Sequence, residues 1–326
     1  MLSLPSFILL KKALPNTKII ALTQEYTKPI AELCDAIDEI ISVPTSASKL
    51  TSIKEIIRVI KNRDIDVSIS LFTTTTLAIA LFFSKIRNRV APATKIDQLF
   101  YNNKLRQRRS QSLKPEFEYN LDLVRHFLKI SNTPFDNNFK RPVLEINKDS
   151  VIETRTLFCS KFDIDESDKL IFVHAGSGGS ANNLSPTQYA TLINALSNNL
   201  DATFVLCEGP EDSDNVEKTI NNLNSVKHVR YISDKGLFEF TKHIAIADYF
   251  ISGSTGPLHI AGALDIPTAG FYPKRRSATA TRWKTLNSSH NLLAFSPEME
   301  NSEDMSSIDI VFTATQIGNF IAKLSN

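Results

Sequence analysis

Short apolar runs of strand length alternate with amphipathic runs of helix length along most of the chain. Phe7–Leu14 has the spacing of a helix face, Lys18–Leu22 of a strand and Pro29–Cys34 of a second helix. Glu39–Val43 again reads as a strand, Ser48–Lys61 as a helix and Ile65–Leu71 as a strand. The run Leu71–Phe83, interrupted by threonines, reads as a buried strand and helix. Such alternation predicts parallel βαβ units. It lapses around Ser131–Asp149, a polar stretch holding Pro134, Pro142 and several asparagines, which marks a domain boundary. The chain is therefore expected to form two domains, 1–140 and 141–326.

Beyond that boundary the pattern resumes. Lys169–His174, Ala202–Cys207 and Tyr249–Ser252 read as strands. Pro186–Leu200, Ser213–Leu223, Leu237–Ala247, Pro257–Leu264 and Ala314–Leu324 read as helices. The fold class that follows is α/β with two Rossmann-like domains.

Glycine changes the picture. The chain has 10 glycines, and the first is Gly176. Glycine serves where the backbone turns sharply or lets a ligand approach closely, so the second half is expected to grip the ligand, at the C-terminal ends of its strands. Charge divides the chain the other way. Residues 1–150 hold 23 Lys/Arg against 15 Asp/Glu, although the whole chain carries a net charge of only +2. Between Lys85 and Lys114 the one acid is Asp97. Such a patch suits an anionic partner or a solvated face. The segment has few aromatics apart from Phe100 and Tyr101, which argues against nucleic acid. No apolar run reaches the length of a membrane helix. The cysteines Cys34, Cys159 and Cys207 are scattered, without zinc spacing, as in a reduced cytoplasmic chain.

Two segments carry chemistry. Lys169–His174 runs into Ala-Gly-Ser-Gly-Gly-Ser, ending at Ser180, and a helix follows from about Ser185. Such a turn can cradle a pyrophosphate with backbone N–H groups, or can simply be a tight connection. The second is Ser252-Gly-Ser-Thr-Gly-Pro-Leu-His-Ile-Ala-Gly-Ala-Leu264. Ser254 or Thr255 can cap the helix, Pro257 suits its first turn, and Ala261, Gly262 and Ala263 let it pack closely. Its N-terminus favours an anion, with His259 in reach.

The stretch Ser-Thr-Gly-Pro-Leu-His-Ile-Ala-Gly-Ala-Leu resembles the signature of glycosyltransferase family 9, the lipopolysaccharide heptosyltransferases. The turn at 176–180 with Asn182, Leu184 and Tyr189, the pair Arg282-Trp283, and the segments Leu4-Pro5, Leu14-Pro15 and Ile37-Asp38-Glu39-Ile40 are similar to further family motifs. The resemblance implies a GT-B fold, its two domains facing each other across a cleft, and inverting transfer without cofactor or metal. The donor would be a nucleotide-diphosphate sugar such as ADP-heptose, and the acceptor an anionic glycolipid at the inner membrane surface. It implies donor contacts from Ser177, Gly178, Gly179, Ser180, Asn182, Thr255, Gly256, Pro257 and His259, from Glu211 to the ribose and from Ser254 to the sugar. Arg106, Arg108 and Arg109 are the candidate acceptor contacts. Asn182 stands where relatives often have Lys and Ser254 where Asp is common, which puts the identity of the donor in question. The family's general base is an Asp after a first strand, and this chain begins past the matching point, so the base and that strand are expected upstream of Met1. A non-catalytic relative that binds nucleotide sugar or anionic glycolipid without turnover, or a sugar-nucleotide epimerase, are the alternatives.

Overall fold

A computed structural model describes residues 1–43, 48–94, 96–176, 182–300 and 302–325. They form two compact units, Leu2–Phe139 and Lys140–Asn326.

In the first unit, α1 (Leu4–Ala13), β1 (Ile20–Thr23), α2 (Lys28–Ala31), β2 (Glu39–Ser42), α3 (Lys49–Lys61), β3 (Val67–Ile69) and α4 (Thr75–Phe83) follow in order. β4 (Asn88–Pro92), β5 (Asn103–Leu105) and α5 (Glu116–Ile130) complete it. All strand pairs are parallel, in two ladders, β1–β2 and β3–β4–β5. Ser48 accepts from the Thr51 N–H and starts α3, whose Ile56 and Ile60 are buried with Ala78 and Leu81 of α4. The expectation that Leu71–Phe83 is wholly buried does not hold. Ala78, Ala80 and Leu81 face the core, but Phe72, Phe82 and Phe83 are exposed. A helix that is apolar on every side cannot bury all of itself against a single ladder.

The second unit begins with α6 (Lys148–Phe162), β6 (Leu170–His174), α7 (Pro186–Ser197) and β7 (Thr203–Glu208). α8 (Ser213–Ile220), β8 (His228–Ile232), α9 (Gly236–Ala245), β9 (Tyr249–Gly253) and α10 (Gly256–Ala263) follow. β10 (Thr268–Phe271), β11 (Leu292–Phe295) and α11 (Ile310–Ser325) close the unit. Its sheet is parallel throughout, in the order β11-β10-β9-β6-β7-β8. This is the doubly wound order, with the chain switching direction between β6 and β9. The central strands are buried at every residue, as two helical layers require. α7 carries a capping box in which Ser185 and Gln188 satisfy each other's backbone. The close packing expected of α10 is present: a Cβ on Gly262 would come within 2.5 Å of the Thr285 side chain.

Candidate functional site

The strand order reverses between β6 and β9, and doubly wound sheets receive ligands at the carboxyl ends of the strands at such a switch. β6 ends in His174 and β9 in Gly253, and the turns that follow lead towards α7 and into α10. Five polar contacts hold these ends together. The Ser252 hydroxyl donates to the His174 carbonyl at 3.0 Å and lies 3.1 Å from the Thr255 hydroxyl. The buried Tyr189 hydroxyl donates to Asn183 Oδ1 at 2.7 Å and accepts from the Gly253 N–H at 3.0 Å. Asn183 Nδ2 in turn donates to the Gly176 carbonyl at 2.9 Å. The ends of β6 and β9 and the start of α7 are thus one hydrogen-bonded assembly.

The assembly extends to β7. His174 Nε2 lies 3.3 Å from Asp212 Oδ2, with both side chains buried. The hydrogen bond from His174 holds the Asp212 carboxyl below its ordinary value, and the Gly209 N–H adds to this. The contact explains one glycine: a Cβ on Gly176 would fall 2.0–2.2 Å from the Asp212 carboxylate. A Cβ on Gly253 would fall 2.4 Å from Asn183 Oδ1, and one on Gly270 2.7 Å from the Tyr272 ring. These glycines answer to packing. Gly256 differs: it is exposed at the first position of α10, and a Cβ there would meet nothing within 4 Å among the described residues.

The start of α10 has no side-chain cap. Ser254 and Thr255 were both candidates, but the Thr255 hydroxyl is turned to Ser252, and the Ser254 N–H donates to the Phe271 carbonyl at 3.0 Å. The first turn therefore keeps the free N–H character and the positive end of the helix dipole, beside the open face of Gly256. A helix end of this kind suits an anion, and a phosphate in particular. One turn on, His259 Nδ1 is buried without a hydrogen-bond partner among the described residues, and the ring meets the edge of Trp283 at 6.5 Å. Burial pushes the imidazole down to about 3, so it is neutral at physiological pH.

The other expected donor contacts separate. Ser177, Gly178, Gly179 and Ser180 lie outside the described residues. Asn182 is exposed and donates to the Glu303 carbonyl at 3.1 Å. Glu211 is exposed on the turn after β7. The acid buried at the end of that strand is Glu208, which accepts from Arg230 Nε at 2.5 Å. Asn183, Asp212 and His174 were not foreseen. Their roles depend on contacts between residues far apart in sequence, and only the proximity of Asn183 to the glycine turn hinted at one.

In the first unit, the loop after β5 and one face of α5 enclose a cavity of about 570 Å³. Arg106, Arg108, Arg125, His126 and Lys129 line it, with Tyr119 at its wall. Arg125 is engaged by Glu118 at 2.8 Å and Asp122 at 3.3 Å, while Arg106 and Arg108 are exposed. Arg109 departs from the expectation that groups it with them. It turns inward, pairs with Glu116 at 2.6 Å, and donates to the Leu71 carbonyl and to Asn120. Its side chain is 14% exposed. It braces the loop, so the surface contacts left are Arg106 and Arg108.

Comparison with known proteins agrees with this geometry. The model of glycosyltransferase family 9 (heptosyltransferase) matches residues 53–308. A candidate glycosyltransferase of Haemophilus influenzae is 40% identical over 321 residues, covering 98% of this chain and 91% of the relative. Among solved structures, a family 9 glycosyl transferase from Veillonella parvula superposes with a TM-score of 0.80 at 15% identity, covering 99% of this chain and 93% of its own. The ADP-heptose lipopolysaccharide heptosyltransferase II of E. coli gives 0.76 at 14% identity, covering 100% and 96%. E. coli heptosyltransferase WaaC, solved with ADP, gives 0.68 at 15% identity, covering 99% and 95%.

Proposed function

The chain belongs to glycosyltransferase family 9, and on that premise we propose that it transfers a heptose or related sugar, with inversion, from a nucleotide-diphosphate sugar to an anionic glycolipid of lipopolysaccharide-core type. The observation that carries the donor half is the uncapped N-terminus of α10, with Gly256 open beside it, at the switch between β6 and β9. The diphosphate sits against that helix end. The acceptor hydroxyl attacks the anomeric carbon from the face opposite the diphosphate. The bond from that carbon to the phosphate oxygen breaks, the nucleoside diphosphate leaves with the electron pair, and the hydroxyl proton passes to a base. The charge that develops on the leaving phosphate falls on the first-turn N–H groups, which a metal would otherwise have to offset. His259 is buried and neutral, so it places no charge of its own beside that helix end.

The acceptor half rests on the basic cavity of the first unit. Arg106 and Arg108 supply fork-shaped donors suited to phosphate or carboxylate. In this reading the enzyme works from the cytoplasm against the membrane that carries its acceptor. The donor half is tested by calorimetric titration with ADP, the nucleotide held by a solved relative. Saturable binding that Gly256→Leu removes supports it. Absence of any nucleotide-diphosphate binding overturns it.

A further inference from the structure

A lipid-linked acceptor brings the enzyme to a bilayer, and one surface of the first unit has the chemistry for that contact. α4 is apolar on every side, and its last turn is not covered. Phe82 and Phe83 are 44% and 56% exposed, with their rings 5.5 Å apart edge to face. Beside them runs the 3-10 helix Ile96–Phe100. Residues three apart on such a helix eclipse, so Ile96 and Leu99 share one side, and they are 68% and 71% exposed. The two helices are fixed together at both ends. Thr75 donates to the buried Asp97 at 2.7 Å, and the Phe82 and Phe100 rings meet at 5.8 Å. Arg89 stacks on Phe82 at 5.4 Å and donates to the Phe100 carbonyl. The result is a rigid apolar ridge.

Basic residues border it. The helix runs straight into Lys85 and Arg87, both exposed. The single carboxylate between Lys85 and Lys114, Asp97, is buried and used by Thr75, so it offsets no charge at the surface. We propose that this ridge is the membrane-docking surface of the enzyme: Phe82, Phe83, Ile96 and Leu99 enter the headgroup–acyl boundary of an anionic bilayer while Lys85 and Arg87 meet its lipid phosphates. Charge complementarity selects this occupant. A second copy joined through the same patch would set Lys85 and Arg87 against their own kind in a self-complementary interface, whereas anionic headgroups neutralise them. The Phe82–Phe83 end of the ridge lies where α4 leads into the start of β4, and its Ile96 end lies beside the first turn of α4, just past the end of β4.

The inference builds on the glycolipid reading above, but its experiment needs no transfer. The full-length protein is sedimented with vesicles of phosphatidylethanolamine and phosphatidylglycerol, and separately with phosphatidylcholine vesicles, none carrying a saccharide acceptor. The expected result is binding to the anionic vesicles alone, weakened by salt. Lys85→Gln with Arg87→Gln lowers that partitioning roughly 20–30-fold. Phe82→Ser with Phe83→Ser, and separately Leu99→Ser, lowers it at least tenfold while the melting temperature stays near that of the parent. Wild-type protein that remains in the supernatant with anionic vesicles overturns the proposal, as does binding that all three variants retain. A concentration-dependent dimer that the Phe82 and Phe83 variant dissociates, with vesicle binding unchanged, overturns it in favour of a second copy. Failure to bind vesicles with intact transfer to a water-soluble acceptor fragment rejects the docking surface alone. Vesicle binding without transfer to any anionic saccharide rejects the glycolipid reading and leaves the surface standing.

Discussion

Replacing Gly256 by leucine separates the two uses this fold makes of glycine. A Cβ at position 256 meets no atom of the described residues within 4 Å, and the residue is exposed at the first position of α10. The folded state therefore has room for the new side chain. Removing a glycine also narrows the unfolded ensemble, by about 0.4–1 kcal/mol, so the melting temperature is expected to hold or to rise by about 1–4 °C. Binding is a different matter. The leucine stands over the free N–H groups of the first turn and keeps a phosphate from reaching them. Each charge-assisted hydrogen bond contributes about 1.5–3 kcal/mol. Loss of two weakens nucleotide-diphosphate binding by about 3–6 kcal/mol, more than 100-fold in Kd. Gly253→Ala is the contrasting case. Its Cβ would fall 2.4 Å from Asn183 Oδ1 inside the Tyr189 assembly, and overpacking of this kind costs about 1–3 kcal/mol of stability. Calorimetry with ADP and a thermal melt on each variant decide. Should Gly256→Leu bind ADP as the parent does, or melt as early as Gly253→Ala, the reasoning fails.

The remaining expectations concern charge and the supporting shell. Arg106→Ala with Arg108→Ala raises the acceptor KM severalfold and leaves the melting temperature and ADP affinity unchanged. Arg109→Ala instead destabilises the fold by about 2–4 kcal/mol, because it strands Glu116 at a site where both partners are mostly buried; equal behaviour of the two sets in a denaturant titration would contradict the assignment. His259 has a folded value of about 3 against an ordinary 6.5. The unfolded chain takes up that proton first, so stability falls as pH drops below 6.5, by on the order of 1–2 kcal/mol at pH 5. His259→Asn flattens that slope, and an unchanged pH dependence of the melting temperature would count against a buried, neutral imidazole. Tyr189→Phe removes the hydroxyl shared by Asn183 and Gly253 and is expected to cost about 1–3 kcal/mol, with weaker ADP binding as the two turns loosen; ADP affinity equal to that of the parent would separate the assembly from the site.

The second unit was largely legible because its strands are unbroken apolar runs between glycine, proline and capping residues. Lys169–His174, Tyr249–Ser252 and Pro257–Leu264 lie within a residue or so of β6, β9 and α10. α6 went unread because it buries little: Thr154, Phe158 and Cys159 face inward along four turns of otherwise polar sequence. β4, with the sequence Asn-Arg-Val-Ala-Pro, and β5, with Asn-Lys-Leu, lie inside the basic segment and are too short and too polar at their starts to show a strand pattern. Charge runs also conceal direction. Arg106, Arg108 and Arg109 are alike in sequence, yet the third points into the protein to meet Glu116. The glycines all fall in the second unit, but Gly176, Gly253, Gly262 and Gly270 make room for protein side chains, and Gly256 is left with open space among the described residues. Asn183 and Asp212 act through partners six to 38 residues away in sequence. No local pattern could assign such contacts.

The most direct test of the account is a transfer reaction followed by mass spectrometry and NMR. The full-length protein is incubated with ADP-heptose and a dephosphorylated or phosphorylated lipopolysaccharide-core acceptor. The account predicts one added heptosyl residue on the phosphorylated acceptor, release of ADP, an anomeric configuration opposite to that of the donor, and no product from Gly256→Leu. Saturable ADP binding with no product from any nucleotide-diphosphate sugar, or a product that retains the donor configuration, would contradict it.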